Sequence, residues 1–445
     1  MMTKEELKQR VCAAIDRRAE ELTEVGETIM RMPELGYKEW RTAALVEEKF
    51  KSLGLSYRKE VALTGLVANL PAKSAGPRVA VLGELDAVLC PGHPFADPET
   101  GAAHSCGHNA QITSMLGVAM GLIDAGAMEH LAGEVALMAV PAEEPVEIEF
   151  RQHLRKQGKI QFLGGKQEFI ALGEFDHIDA AVMMHLTVPK DGKRASVGGS
   201  SNGFVAKFIK YKGKEAHAGG APHLGVNALN GAMLGLMGIH AQRETFKDDD
   251  HIRIHPIVTH GGDLVNVIPA DVRIETYVRG AKMDGIVDAS AKTNRALRAG
   301  ADAVGAEVVI EEIPGFLPRV NEPEALCQLF RDNLAALIGA DAIATGTHGA
   351  GSTDMADVEH VVPGIHPYIG GALGRGHSED YQIGDPELAY ITSSKALAMT
   401  VVDLLWDGGK LAKEIKADFV PKYTKDTYLA MWRELTEGKA GADHE

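Results

Sequence analysis

The chain has 445 residues, 45% hydrophobic and 24% charged, enough for two or three packed domains. A formal charge of -16 argues against nucleic acid or an anionic membrane as a partner and leaves room for a small-molecule substrate. No apolar run approaches a membrane span, the charged N-terminus lacks the apolar centre of a signal peptide, and Cys12, Cys90, Cys106 and Cys327 are scattered, so free thiols in a reducing cytoplasm are expected.

In chain order, residues 3–32 read as one charged amphipathic helix closed by Pro33 and Gly36. A helix is expected from Trp40 to Leu53, stopping at Gly54. Residues 78–82 form a short apolar strand that runs into Gly83-Glu84-Leu85-Asp86. Residues 107–125 place Ile112, Met115, Leu116, Ala119 and Leu122 at helical spacing. A strand over 134–140 enters Pro141-Ala142-Glu143-Glu144-Pro145, and another over 179–184 ends at His185. Three apolar strands separated by helical stretches predict an α/β fold with a mainly parallel sheet flanked by helices. Ligands of such sheets gather outside the carboxyl ends of the strands, where these acidic and histidine residues lie.

The texture changes near Ala195. An alternating strand over 205–211, a helix over 226–242, strands over 251–260 and 272–280, a helix over 284–299 and a strand over 307–312 give the order β-α-β-β-α-β. This predicts a smaller α+β sandwich over 195–313, inserted into a catalytic domain made of 1–194 and 314–445.

Chemistry concentrates in His104-Ser105-Cys106-Gly107-His108-Asn109. In an extended or turn segment, residues two apart project to the same side, so Cys106 and His108 can reach one ion. Thiolate and imidazole suit zinc and similar ions. Glu143, Glu144, His185 and His377 extend the set. A hydrolytic metal site needs ligands, an open position for water and a carboxylate to take the proton, and adjacent glutamates can divide the work, one binding metal and the other acting as base. Each residue alone also reads blandly: a solvated acidic pair, a hydrogen-bonded core histidine, a structural loop residue. Their joint occurrence past strand ends favours the metal.

The ordered motifs Pro33-Glu34-Leu35-Gly36, Gly83-Glu84-Leu85-Asp86-Ala87, His104–Asn109, Pro141–Pro145, Met184-His185, Glu215–Pro222, Gly261–Pro269 and Gly376-His377-Ser378 resemble the metallopeptidases of family M-20, subfamily D. That group includes auxin-conjugate, N-acyl-amino-acid and aminobenzoyl-glutamate hydrolases. The resemblance implies that Cys106, His108, Glu144, His185 and His377 hold two divalent ions, zinc or manganese first and cobalt or nickel as alternatives. It implies Glu143 as general base and acid, and His217 as the inserted-domain histidine that steadies an oxyanion. Asn266 and Arg279 would hold a substrate carboxylate, for which the arginine fork is suited. It also implies a lid and homodimerisation role for the inserted domain.

The expected activity is hydrolysis of the amide bond of an N-acyl or N-aroyl amino acid, aminobenzoyl-glutamate-like or dipeptide-like, by metal-activated water. Hydrolytic deamination of an aromatic amine and a non-catalytic binding protein on the same fold are the alternatives. Two positions depart from many subfamily members: Asn109 and Glu84 stand where Asp is usual, and both keep a side chain able to hydrogen-bond around the ligands. The segment 162–167 and Ser352-Thr353-Asp354-Met355 resemble the aminobenzoyl-glutamate and dipeptide branch, and His348 and His366 flank the latter as candidate substrate contacts.

Overall fold

The computed structural model describes residues 2–436; residue 1 and residues 437–445, which the expected catalytic domain included, lie outside them. The chain divides into two compact units. The first comprises residues up to Gly199, Asn321–Thr347 and Asp357–Lys425; the second comprises Ser200–Val320, His348–Ala356 and the described residues from Asp426 onward.

The first unit opens with two helices, α1 (Lys4–Arg17) and α2 (Ala19–Met30), where a single one was expected. Arg18 leaves helical geometry at φ -97° and ψ 4°, and its guanidinium bonds Asp124 and Glu21. Thr3 and Glu6 close a capping box on α1. Helix α3 follows at Trp40–Ser52. Strands β1 (Ser56–Val61) and β2 (Gly65–Pro71) form a hairpin that no apolar run announced, because β1 is polar and mostly exposed. Next come β3 (Ser74–Glu84), α4 (His108–Asp124), β4 (Ala132–Val140), α5 (Ile148–Lys156), β5 (Ala180–Val182), β6 (Gly364–Ile365) and α6 (Ser393–Leu405).

The sheet order is β1-β2-β4-β3-β5-β6. The β1–β2 and β2–β4 pairs are antiparallel, and the β4–β3, β3–β5 and β5–β6 pairs are parallel. This is the expected mixed, mostly parallel α/β sheet. Register matters for the chemistry: Glu84 at the end of β3 lies opposite Val140 at the end of β4, and Val81 of β3 lies opposite Val182 at the end of β5. Three neighbouring parallel strands therefore finish at one edge.

Helix α4 is buried along its whole length from His108 to Leu122, which is why its apolar pattern runs all around and not along one stripe. The stretch Glu387–Leu405, which ends with α6, is long and apolar enough to cross a membrane by length and composition, contrary to the expectation from the sequence; 89% of it is buried inside the fold, as a core helix would be.

The second unit has a sheet whose central strands, Gly203–Lys212 and Asp271–Gly280, pair antiparallel over ten positions. Glu307–Ile313 flanks the former. The strand expected over 251–260 is two pieces, Arg253–Ile254 and Ile257–His260, interrupted at His255-Pro256 because proline has no N–H for the ladder. Helices Ala228–Ala241 and Met283–Val304 share a core with this sheet through Ala232, Ile239, Ala289 and Leu297. Lys207 is fully buried there, bonded to Ser290, Asn294 and Glu312.

Candidate metal centre

The centre is assembled from the loops that leave β3, β4 and β5, with helix α4 supplying the first imidazole. Gly107 is its N-cap, at φ +91°. Any Cβ there would strike the Tyr381 hydroxyl and come within 2.9 Å of Leu186. The glycine between Cys106 and His108 is thus demanded twice, by backbone conformation and by space. His108, the first residue of α4, is fully buried. Its Nδ1 is 2.8 Å from the carbonyl oxygen of Asp86 and 3.3 Å from the Asp86 carboxylate. Nδ1 therefore carries a proton toward Asp86, which leaves Nε2 as the nitrogen free to ligate.

Beyond β4, Ala142 adopts φ +55°, a conformation that costs a residue with a Cβ. Its N–H donates to Glu39 Oε1 at 2.8 Å, and the Thr64 hydroxyl donates to Glu39 Oε2 at 2.6 Å. Burial, and then the charge of Asp86, pushes the Glu39 carboxyl up to about 8. Buried Arg151 donates to the carbonyls of Leu163 and Glu144. The Glu144 N–H donates to Asp86 Oδ2 at 2.9 Å. This clamp fixes the bend that presents Glu143 and Glu144, both buried.

His185 lies three residues past β5. Its Nδ1 is 2.7 Å from the Leu186 carbonyl and its Nε2 is 3.4 Å from Cys106 Sγ. His377 comes from a distant loop at φ +60°, tied down by its N–H donating to the Ser105 carbonyl at 2.8 Å. Its imidazole is 51% exposed, and Nε2 is 2.9 Å from Glu144 Oε1.

Cys106, His108 and His185 form one group able to hold a metal ion, and Cys106, Glu144 and His377 form another. Cys106 is common to both. All five ligands expected from the sequence thus converge. The donor set fits a divalent ion of borderline softness: one thiol, three imidazoles and one carboxylate. A further observation supports the fit. His108 Nε2 and Glu84 Oε2 are buried and 3.0 Å apart, yet neither has a hydrogen-bond partner. With the ring neutral, as a ligand must be, two acceptors so placed call for a cation.

The electrostatics carry the same signature. Burial works to raise the Glu144 carboxyl, but the hydrogen bond and charge of His377 hold it below its usual value. Burial, followed by the negative charge of Glu144, pushes the Cys106 thiol well above its ordinary value. Burial opposes charge on His108, yet the surrounding Glu84, Cys106 and Asp86 raise its proton affinity well above normal. Glu143 Oε2 lies 4.0 Å from His108 Nε2, beside the ligands.

Several residues around the centre carried little or no signal in the sequence. Asp86 stood inside a quoted motif, and its double grip on His108 and the Glu144 backbone required tertiary contacts. Glu39, Arg151 and Lys166 could not be told from surface charges until their burial was known. Asn109 does not contact the ligands, against expectation: its Nδ2 donates to the Gly26 carbonyl and the Tyr390 hydroxyl, both at 3.1 Å. The Gly26 carbonyl can only accept, so the amide N–H satisfies it where a carboxylate would not. Glu84 does sit beside a ligand, and Lys166 pairs with its Oε1. His366 is buried with its ring 5.5 Å from that of His185.

His217, Asn266 and Arg279 belong to the second unit. His217 and Asn266 lie close together: His217 bridges to Val267, and the Ala218 N–H donates to the Asn266 carbonyl at 2.9 Å. Both residues are exposed. Arg279 is separate, near the end of its strand, donating to Ser352 Oγ at 2.9 Å and lying over the rings of Phe204 and Tyr277. His348 is bonded to Ser200 and Asn202 and stacked on His251.

The sequence profile of Peptidase family M20/M25/M40 matches residues 80–400. The chain is 30% identical to a Xaa-Arg dipeptidase of Mus musculus, over 95% of this chain and 94% of that protein. It is 26% identical to an IAA-amino acid hydrolase of Arabidopsis thaliana, over 87% and 86%. Among solved structures, an aminobenzoyl-glutamate utilization protein from Klebsiella pneumoniae aligns with a TM-score of 0.67 at 18% identity, over 88% of this chain and 98% of that one. A dinuclear metal binding peptidase of the M20 family from Bacillus subtilis aligns with a TM-score of 0.63 at 20% identity, over 88% and 99%.

Proposed function

The chain belongs to Peptidase family M20/M25/M40 and is a metal-dependent hydrolase, and from that premise we propose that it cleaves the amide bond of an N-acyl or N-aroyl amino acid or a dipeptide-like molecule. The observation that carries this reading is the pair of ligand groups sharing Cys106 with Glu143 beside them. Cys106, His108 and His185 would hold one divalent ion, and Cys106, Glu144 and His377 the other. Zinc suits the thiol and imidazole donors, and manganese, cobalt and nickel are the other ions proposed. When bound, such ions polarise a carbonyl oxygen and lower the proton affinity of water.

Glu143 does the proton work. Its carboxylate takes a proton as the water oxygen bonds to the carbonyl carbon, and returns it to the nitrogen as the C–N bond breaks. His217 is proposed to donate to the developing oxyanion. In support, its Nδ1 accepts the N–H groups of Gly219 and Gly220 at 3.2 and 3.0 Å, which puts the ring proton on Nε2. Asn266 and Arg279 are proposed to bind the substrate carboxylate.

A homodimer through the inserted unit is also proposed. Its support is the exposed Met233, Leu234 and Met237 on one helix, together with Ile257 and Val258 on a short strand. Sedimentation at micromolar concentration should find a dimer, and a strictly monomeric protein would remove this part.

The reading is tested by incubating metal-replete protein with acyl- and aroyl-amino acids, dipeptides and aromatic amines. Release of a free amino acid is expected. Ammonia release without an amino acid product would point to deamination instead, and no turnover across the panel would count against a hydrolytic role.

A further inference from the structure

The five expected ligands leave Glu84 unexplained. Its carboxylate is fully buried at the end of β3, and its backbone N–H donates to Gln111 Oε1 at 3.1 Å. Oε1 pairs with Lys166, which is itself wholly buried. Oε2 points at His108 Nε2, 3.0 Å away, with no hydrogen bond between them. Glu84, His108 and Glu143 also form a third group with metal-ligand spacing.

In the ligating form of His108, with the Nδ1 proton directed at Asp86, Nε2 presents a lone pair. A lone pair and a carboxylate oxygen in contact, sealed from water, repel unless a cation lies with them. A proton on Nε2 would be one such cation, but it would remove His108 as a ligand. A metal ion satisfies both groups. Lys166 balances the remaining charge, since a buried carboxylate with no partner is costly.

We infer that Glu84 is a sixth protein ligand, contributing Oε2 to the ion held by His108, and that Lys166 is the positioning residue that turns this oxygen inward. The inference rests on the metal reading above and assigns Glu84 more than the hydrogen-bonding support role its motif suggested. It also gives a reason for the longer side chain: glutamate reaches one methylene further than the aspartate usual at this position.

The test uses full-length protein stripped with a chelator and titrated with Co²⁺, reading metal content, affinity and the visible d–d spectrum. Wild type is expected to take two ions. Glu84→Gln should lose one equivalent, or bind it at least ~10-fold more weakly, with altered d–d bands reporting a changed coordination shell. Weaker binding with an unchanged spectrum would make Glu84 an outer support and overturn the inference, as would two ions bound at unchanged affinity.

Should Glu84→Gln fail to fold by circular dichroism, Glu84→Asp keeps the charge, retracts the oxygen and is read the same way. Lys166→Met should keep the ions but shift the spectrum, and an unmoved spectrum would refute the positioning role. Wild-type protein that takes up no Co²⁺ would overturn this inference and the metal reading together; a change missing only in the Glu84 variants would overturn this one alone.

Discussion

Asp86 grips His108 on the side of the ring facing away from the other ligands: its carbonyl oxygen is 2.8 Å and its carboxylate 3.3 Å from Nδ1. The second carboxylate oxygen accepts the Glu144 N–H at 2.9 Å, so one residue touches two expected ligands from different parts of the chain. Asp86→Asn keeps the size but weakens the acceptor facing Nδ1. Metal affinity should fall by ~10- to 100-fold, read by competition with a chromophoric chelator. Unchanged affinity would show that the ring is held adequately by the backbone carbonyl alone.

Glu143 should be separable from the ligands. Glu143→Gln removes the proton acceptor without removing any of the five expected donors. Turnover should drop by ~10²- to 10⁴-fold while metal content stays at the wild-type level. Retained turnover in metal-loaded variant protein would end the assignment of Glu143 as general base.

Metal uptake should be steeply pH-dependent. Burial and the charge of Glu144 hold the Cys106 thiol well above its usual value, and the surrounding acceptors raise the proton affinity of His108. Both groups must lose protons to ligate. Affinity should therefore rise with pH and fall as the solution is acidified, with protons released on binding. Calorimetry in buffers of different ionisation enthalpy measures that release; heats independent of buffer would contradict it. By the same reasoning Cys106 should resist alkylation when metal is bound, and after stripping should react only slowly at neutral pH, faster as the pH rises.

Asn109→Asp tests a motif position whose side chain bonds Gly26 and Tyr390. The Gly26 carbonyl can only accept, and a carboxylate in place of the amide leaves it facing a second acceptor. Stability should drop by about 1–3 kcal/mol, seen as a lower thermal midpoint of the metal-free protein. A midpoint equal to wild type would mean that the site relaxes or the acid is protonated.

The alternation of strands and helices and a set of five candidate ligands were legible in the sequence. These are local signals. An apolar strand, a glycine that must adopt a positive φ and acidic or histidine residues at a strand end are legible because each rests on near neighbours in the chain.

The rest depends on contacts between residues far apart in the chain. The β1–β2 hairpin was invisible because β1 is largely exposed and polar, and the helix expected over 3–32 hid a break at Arg18 whose partner Asp124 lies far along the chain. Burial turned Glu39, Arg151 and Lys166 from ordinary charges into the frame of the centre, and packing turned Asn109 away from the ligands. A charge or an amide looks the same in a sequence whether water or protein surrounds it. Only the fold removes the water, and with the water gone each buried polar group must find a partner. That is why candidate ligands could be read from the sequence and the residues that aim them could not.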